Sequence, residues 1–141
     1  MDKLDIVTDE SGNKVVLLPE IIFSNKQNIN WDDVEDYLGK YVGELIEIAE
    51  TRDIIYIGNK FPDEYGGSSY TRKTKGARAK AKANAAQGIR EMVEIATDKV
   101  YRENHKEKHS EDAHNGWFYY VTRFAIPLYD NEKKTGEYNV Y

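Results

Sequence analysis

Three histidines, His105, His109 and His114, stand at spacings of four and five residues in the stretch HKEKHSEDAH, with Glu107, Glu111 and Asp112 among them. On a helix His105 and His109 would share a face, and Asp112 could complete a metal site. The HExxH arrangement of zinc peptidases is absent, so metal-assisted proteolysis has no motif behind it. A simpler chemistry needs one histidine and one cation. The histidine takes the proton of a ribose 2′-hydroxyl while lysine or arginine stabilises the phosphorane charge, which is metal-independent RNA cleavage. His109 and His114 are the candidate bases, with Arg123 or Lys82 as the cation. The competing explanation is a solvated loop rich in lysine and glutamate, so neither a metal nor a cofactor is expected.

A second group of residues points to anions. Between Gly66 and Arg90 the chain carries seven basic residues and no acid, although its net charge is −5. Subtracting these seven from the 20 lysines and arginines leaves 13 against 25 acids, so the remainder carries −12. Arg72, Lys75, Arg78, Lys80 and Lys82 cluster in or just before the helix-like run KGARAKAKANAAQGI. Clustered cations without neighbouring acids suit the phosphate backbone of nucleic acid, or another polyanion. The same run also suits plain packing. At 100° per residue Ala77, Ala81, Asn84, Ala85, Gly88 and Met92 form one narrow stripe of mostly small side chains, and alanine, lysine and arginine all favour helix. Docking against the chain's own acidic helix is a third use. No Walker-type glycine loop is present.

Arg123 is the last candidate. It alternates with Trp117, Tyr119 and Val121 in GWFYYVTRFAIPLYD, and an arginine beside exposed aromatic rings can stack on and pair with single-stranded nucleic acid. Covering a secondary core is the other use of those rings.

The elements that must position these residues follow from hydrophobic period and punctuation. Asp5–Leu18 reads as a hairpin turning at Gly12-Asn13. Asn30 is a candidate N-cap for a helix from Trp31 to about Leu45. Its inner face would be Trp31, Val34, Leu38 and Tyr41, and its outer face Asp32, Asp33, Glu35 and Asp36. Glu44–Gly58 changes to a strand period and suggests a second hairpin. FPDEYGGSSY reads as a loop with a helical turn, the basic helix spans about Thr71–Ala86, and IREMVEIAT continues it to Thr97. Trp117–Leu128 reads as one long strand with Phe118, Tyr120, Phe124 and Ile126 inward. NEKKTG turns the chain into a last strand, EYNVY. The expectation is one α+β domain over residues 1–141: an N-terminal hairpin and two main helices packed on an antiparallel β-sheet.

With no cysteine, disulfides and thiolate chemistry are excluded, which favours a reducing compartment. No run approaches 18 apolar residues and MDKLDIVTDE lacks an apolar leader core, so a cytoplasmic protein without membrane contact is expected.

At FPDEY, KGARAKAKANAAQGI, EIAT and KHSEDAHNGWFYYVTRFAIPLYD the chain resembles domains of bacteriophages and conjugative elements, found within large polyvalent proteins and grouped near barnase-, EndoU- and RelE-like nuclease folds. The resemblance runs from about Tyr41 to Tyr141. It implies a long helix against an antiparallel sheet and a mobile-element origin. Three functions follow as expectations. The first is an accessory domain that binds nucleic acid through the basic helix. The second is a ribonuclease-like effector. The third is a small acidic inhibitor whose Asp32, Asp33, Glu35 and Asp36 mimic phosphate against a host or phage protein.

Overall fold

A computed structural model describes residues 3–24, 29–73, 76–103, 117–130 and 133–141, with the side chains of Ser69 and Tyr70 excepted. The fold is α+β. The N-terminal hairpin pairs β1 (Ile6–Thr8) with β2 (Lys14–Leu17). Helix α1 (Trp31–Leu38) follows, then a 3-10 turn (Gly39–Tyr41) and the short hairpin β3 (Leu45–Glu47) and β4 (Ile54–Tyr56). Helices α2 (Phe61–Gly66), α3 (Ser69–Lys73), α4 (Ala77–Ala85) and α5 (Ile89–Glu94) come next. The chain ends in β5 (Thr97–Arg102), β6 (Trp117–Val121), β7 (Phe124–Asp130) and β8 (Lys133–Val140).

The first helix forms for the expected reasons. Asn30 caps it by accepting from the amides of Asp32 and Asp33, and Trp31, Val34 and Leu38 are buried while Asp32, Asp33 and Asp36 face solvent. It stops seven residues short of Leu45. The chain tightens at Gly39–Tyr41, buries Tyr41, and reverses at Gly43, whose φ of +92° suits glycine. Leu45 then belongs to β3 and is exposed.

Helix α4 lies between two hydrophobic clusters. Ala79, Ala83 and Ala86 meet Trp31, Val34, Leu38, Tyr41 and Ile46 on one side. Ala81 meets Val16, Leu18 and Ile126 of the sheet on the other. The expected single stripe is therefore two buried faces, and Ala77 at the helix start is exposed. Only small side chains let two layers approach one helix this closely. Asn84 is fully buried and fully used: its Oδ1 accepts from the amides of Ile22 and Phe23, and its Nδ2 donates to the carbonyls of Phe23 and Lys80. At Gly88 an added Cβ would stand 3.0 Å from the Leu18 side chain, so the helical path lies tight against the sheet there. The helical path breaks into a 3-10 turn at Ala86–Gly88, and α5 ends at Glu94 rather than Thr97.

The C-terminal half differs most from the one-strand expectation. The run from Trp117 to Leu128 is two strands, separated at Thr122-Arg123. The hydroxyl of Thr122 donates to the Met92 carbonyl at 2.7 Å, and there the chain passes from one sheet to another. β6 pairs antiparallel with β5 alone, as a two-stranded ribbon, whereas β7 joins a four-stranded sheet of order β1-β2-β7-β8. Within that sheet β2 and β7 run parallel, and β7 and β8 antiparallel. Ala125, Ile126 and Pro127 are buried and Phe124 is half-buried against Tyr141, but Phe118 is exposed. The inward face changes at the break because the two strands serve different layers. The last strand begins at Lys133, inside the expected turn.

Candidate nucleic-acid interface

The β5–β6 ribbon sets its aromatic residues on both faces. Register places Tyr101 opposite Phe118 on one face, and Val100 opposite Tyr119 with Arg102 opposite Trp117 on the other. Tyr101 and Phe118 form a tilted ring pair 5.3 Å apart, and the Arg102 guanidinium lies 5.9 Å from the Tyr119 centroid. Phe118 is 56% and Tyr119 53% exposed. Folded chains normally bury rings of this size, so exposure on both faces of one ribbon marks a surface for contact.

Asp53, in the β3–β4 turn, anchors the ribbon. It accepts from Lys99 Nζ at 2.8 Å, Tyr120 Oη at 2.7 Å and Thr51 Oγ1 at 2.8 Å. The Lys99 hydrogen bond first, then those from Tyr120 and Thr51, hold its carboxyl down at about 2. Burial and the carboxylate together raise the Tyr120 phenol. Lys99 is aimed there by an irregularity in β5, where Asp98 has φ +57° and the pairing shifts between Thr97 and Val100. The Lys99 ammonium also lies 4.4 Å from the centre of the Phe118 ring.

Beside the ribbon lies an open groove of about 490 Å³ between the β3–β4 hairpin, α2 and α5. Ile57, Ile89 and Met92 contribute aliphatic lining, and Tyr56, Phe61, Tyr65, Phe118 and Tyr120 contribute rings. Two of its phenols are spent internally, Tyr65 Oη donating to the Lys82 carbonyl and Tyr120 to Asp53, while Tyr56 is exposed. The groove therefore offers ring faces and edges rather than polar chemistry.

No family model matches the chain, and no curated protein and no solved structure matches it either. The site is argued from its geometry.

The five cations around the basic helix have separate fates. Arg72 pairs with Asp32 at 3.0 Å and Glu35 at 3.2 Å, so it serves α1, and these carboxylates, Asp32 first, raise its pKa. Lys75 lies outside the described residues. Arg78 is exposed, and Lys80 is half-buried at a seam of α4. Lys82 is half-buried at the opposite seam, donating to Thr71 Oγ1 at 2.9 Å. Docking against the chain's own acidic helix is thus realised by Arg72.

His105, His109 and His114 fall in residues 104–116, outside those described. Among the described residues no group of three His, Cys, Asp or Glu could hold a metal. Arg123 lies past the ribbon in the β6–β7 break, where its carbonyl accepts from the Val16 amide at 3.0 Å. It lines a second cleft with Glu50, Glu94 and Asp98 instead of the aromatic face. The aromatic alternation was legible, but the cation laid over it is Arg102. Its position across the strand pair depends on register, for which residues 97–121 carry no local signal.

Proposed function

We propose that this domain binds single-stranded nucleic acid, with bases stacking on the ribbon rings and Arg102 meeting the backbone. The observation that carries this reading is the ribbon itself: Phe118 beside Tyr101 on one face, Tyr119 beneath Arg102 on the other, and Phe118 and Tyr119 more than half exposed. Base–ring stacking is worth about 1–3 kcal/mol per base and tolerates any sequence. A duplex hides its base faces, so single strands are preferred. Arg78 and Lys80, which have no carboxylate partner among the described residues, add a longer-range attraction. On this reading the protein is an accessory domain of phage or mobile-element origin, acting in the cytoplasm of a bacterial host. No helix among the described residues is long and apolar enough to cross a membrane.

Fluorescence anisotropy with single- and double-stranded oligonucleotides tests it at two salt concentrations. Single strands should bind more tightly, with affinity falling as salt rises. Absence of binding at about 50 mM salt removes the reading, since counterion release is strongest there. Intact oligonucleotide after incubation supports binding without turnover, whereas cleaved RNA supports the ribonuclease-like effector. The acidic inhibitor is favoured by one observation, the exposed Asp32, Asp33 and Asp36 of α1. It predicts capture of a basic protein and no affinity for oligonucleotides.

A further inference from the structure

Lys82 is a cation with no carboxylate partner among the described residues. Its ammonium lies half-buried, 2.9 Å from Thr71 Oγ1 and 5.2 Å from the centre of the Tyr65 ring. No described carboxylate pairs with Lys82: Glu35 gives Oε2 to Arg72, and its buried Oε1 has no hydrogen-bond partner among the described residues. Burial lowers the Lys82 pKa, with no carboxylate acting against it. Two hydroxyls complete the cluster. Ser68 Oγ donates to Thr71 Oγ1 at 2.9 Å while accepting from the Thr71 amide at 3.0 Å.

The hydrogen-bond accounting of this cluster does not balance. A hydroxyl oxygen offers two lone pairs and one hydrogen, and an ammonium offers three hydrogens and no lone pair. Whichever hydroxyl donates in the Ser68–Thr71 contact, the pair keeps one hydrogen and one lone pair unspent after the bonds from the Thr71 amide and Lys82. Lys82 keeps hydrogens beyond the one given to Thr71. The cluster is thus rich in donors, poor in acceptors and positively charged. Thr71 itself is 3% exposed, so its side chain is held in place.

We propose that Ser68, Thr71 and Lys82 form a notch that binds a phosphate group. A tetrahedral oxyanion accepts hydrogens from several directions and supplies the charge that Lys82 lacks. This deepens the nucleic-acid reading without depending on the ribbon. Tyr65 connects the two, since the ring that lines the aromatic groove also lies under the Lys82 ammonium. The source is either free phosphate or the terminal phosphate of a strand whose bases occupy the aromatic surface.

Inorganic phosphate titrated into the full chain, followed by backbone amide NMR, tests the notch. Saturable shifts centred on Ser68, Thr71 and Lys82 are expected. Shifts that never saturate, or that centre on Arg78 or Arg102, overturn it. Lys82→Met should weaken phosphate binding about tenfold or more, the scale of one lost charge-assisted hydrogen bond. In phosphate-free buffer this variant should keep or raise the parent Tm, because an unneutralised, half-buried charge has been removed. A clear fall in Tm would show that Lys82 is a structural clasp and would reject the site. Oligonucleotides with a 5′-phosphate and with a 5′-hydroxyl separate the sources. A preference for the phosphorylated strand that Lys82→Met abolishes assigns the notch to a strand end. Equal binding of both strands, with phosphate still saturating the notch, assigns it to small phosphates. Phe118→Ala should leave phosphate binding unchanged while weakening oligonucleotide binding, so failure of the notch and failure of the ribbon read separately.

Discussion

In the segment from α3 to α4 two basic side chains, Arg72 and Lys82, are drawn into the architecture, whereas on the ribbon the rings are left outside it. Arg72 ties α3 to the acidic face of α1, Lys82 lies against Tyr65 and Thr71, and α4 between its lysines is a wall of buried alanines. On β5 and β6, Val100, Tyr101, Phe118 and Tyr119 are exposed although their residue types would suit a core. Charge density in a sequence therefore does not locate an interface by itself. An alanine-rich helix between two layers has lysines because only its narrow seams reach water, and long stems carry the ammonium there. On the two-stranded ribbon the apolar residues Val100, Tyr101, Phe118 and Tyr119 stay exposed.

That contrast can be broken at either end. Helix substitutions should cost stability, and ribbon substitutions should cost binding. The largest effect is expected at Asn84. Asn84→Ala orphans the Ile22 and Phe23 amides, and denaturant melts should show a loss of about 2–4 kcal/mol. A loss under about 0.5 kcal/mol, the level of an ordinary surface change, would mean that the Ile21–Phe23 segment does not depend on this helix.

Next come the rings. Phe118→Ala and Tyr119→Ala should each weaken single-strand binding by about 1–3 kcal/mol with little change in the melt. A variant that unfolds instead would turn the ribbon into core and erase the contrast. Arg102→Gln should be milder, flattening the slope of log affinity against log salt by about one contact, roughly 0.7 for a single strand. If Arg78→Gln alone flattens it and Arg102→Gln does not, the interface belongs to the basic helix after all.

Arg72→Gln should cost about 1 kcal/mol, since Asp32 is solvent-facing while half-buried Glu35 loses its cation. Binding should be unaffected, and a loss of affinity would show Arg72 exchanging its carboxylates for phosphate. The smallest effect is one of pH. Asp53 has a depressed pKa in the folded state, so its hydrogen-bonded cluster stabilises the fold above the ordinary carboxyl value. That stabilisation is lost as pH falls from 3.8 toward about 2. Melts of Asp53→Asn should diverge from the parent above that window and converge within it. Parallel curves would show that Asp53 does not anchor the ribbon.

Local signals were enough for much of this protein. The Asn30 cap, the three- and four-residue steps of Trp31, Val34, Leu38 and Tyr41, and the Gly12-Asn13 turn each state their element within a few residues. They do so because helix period, capping and turn chemistry are short-range. The alternation of rings in GWFYYV also announced a strand. The sequence could not say which side of that strand faces water, because facing depends on what covers it. The break at Thr122-Arg123 sends β6 and β7 to different sheets and moves Phe118 outward while Ile126 stays buried. The second buried face of α4 was hidden for the same reason. One helix carries one period, but two layers chose to pack on it from opposite sides. Asp53 meets Tyr120 across 67 positions and Arg72 meets Asp32 across 40, separations at which no local pattern exists. Sequence determined which elements form. Tertiary packing alone decided which charges are neutralised, which rings stay in water, and which lysine donates to a hydroxyl rather than a carboxylate.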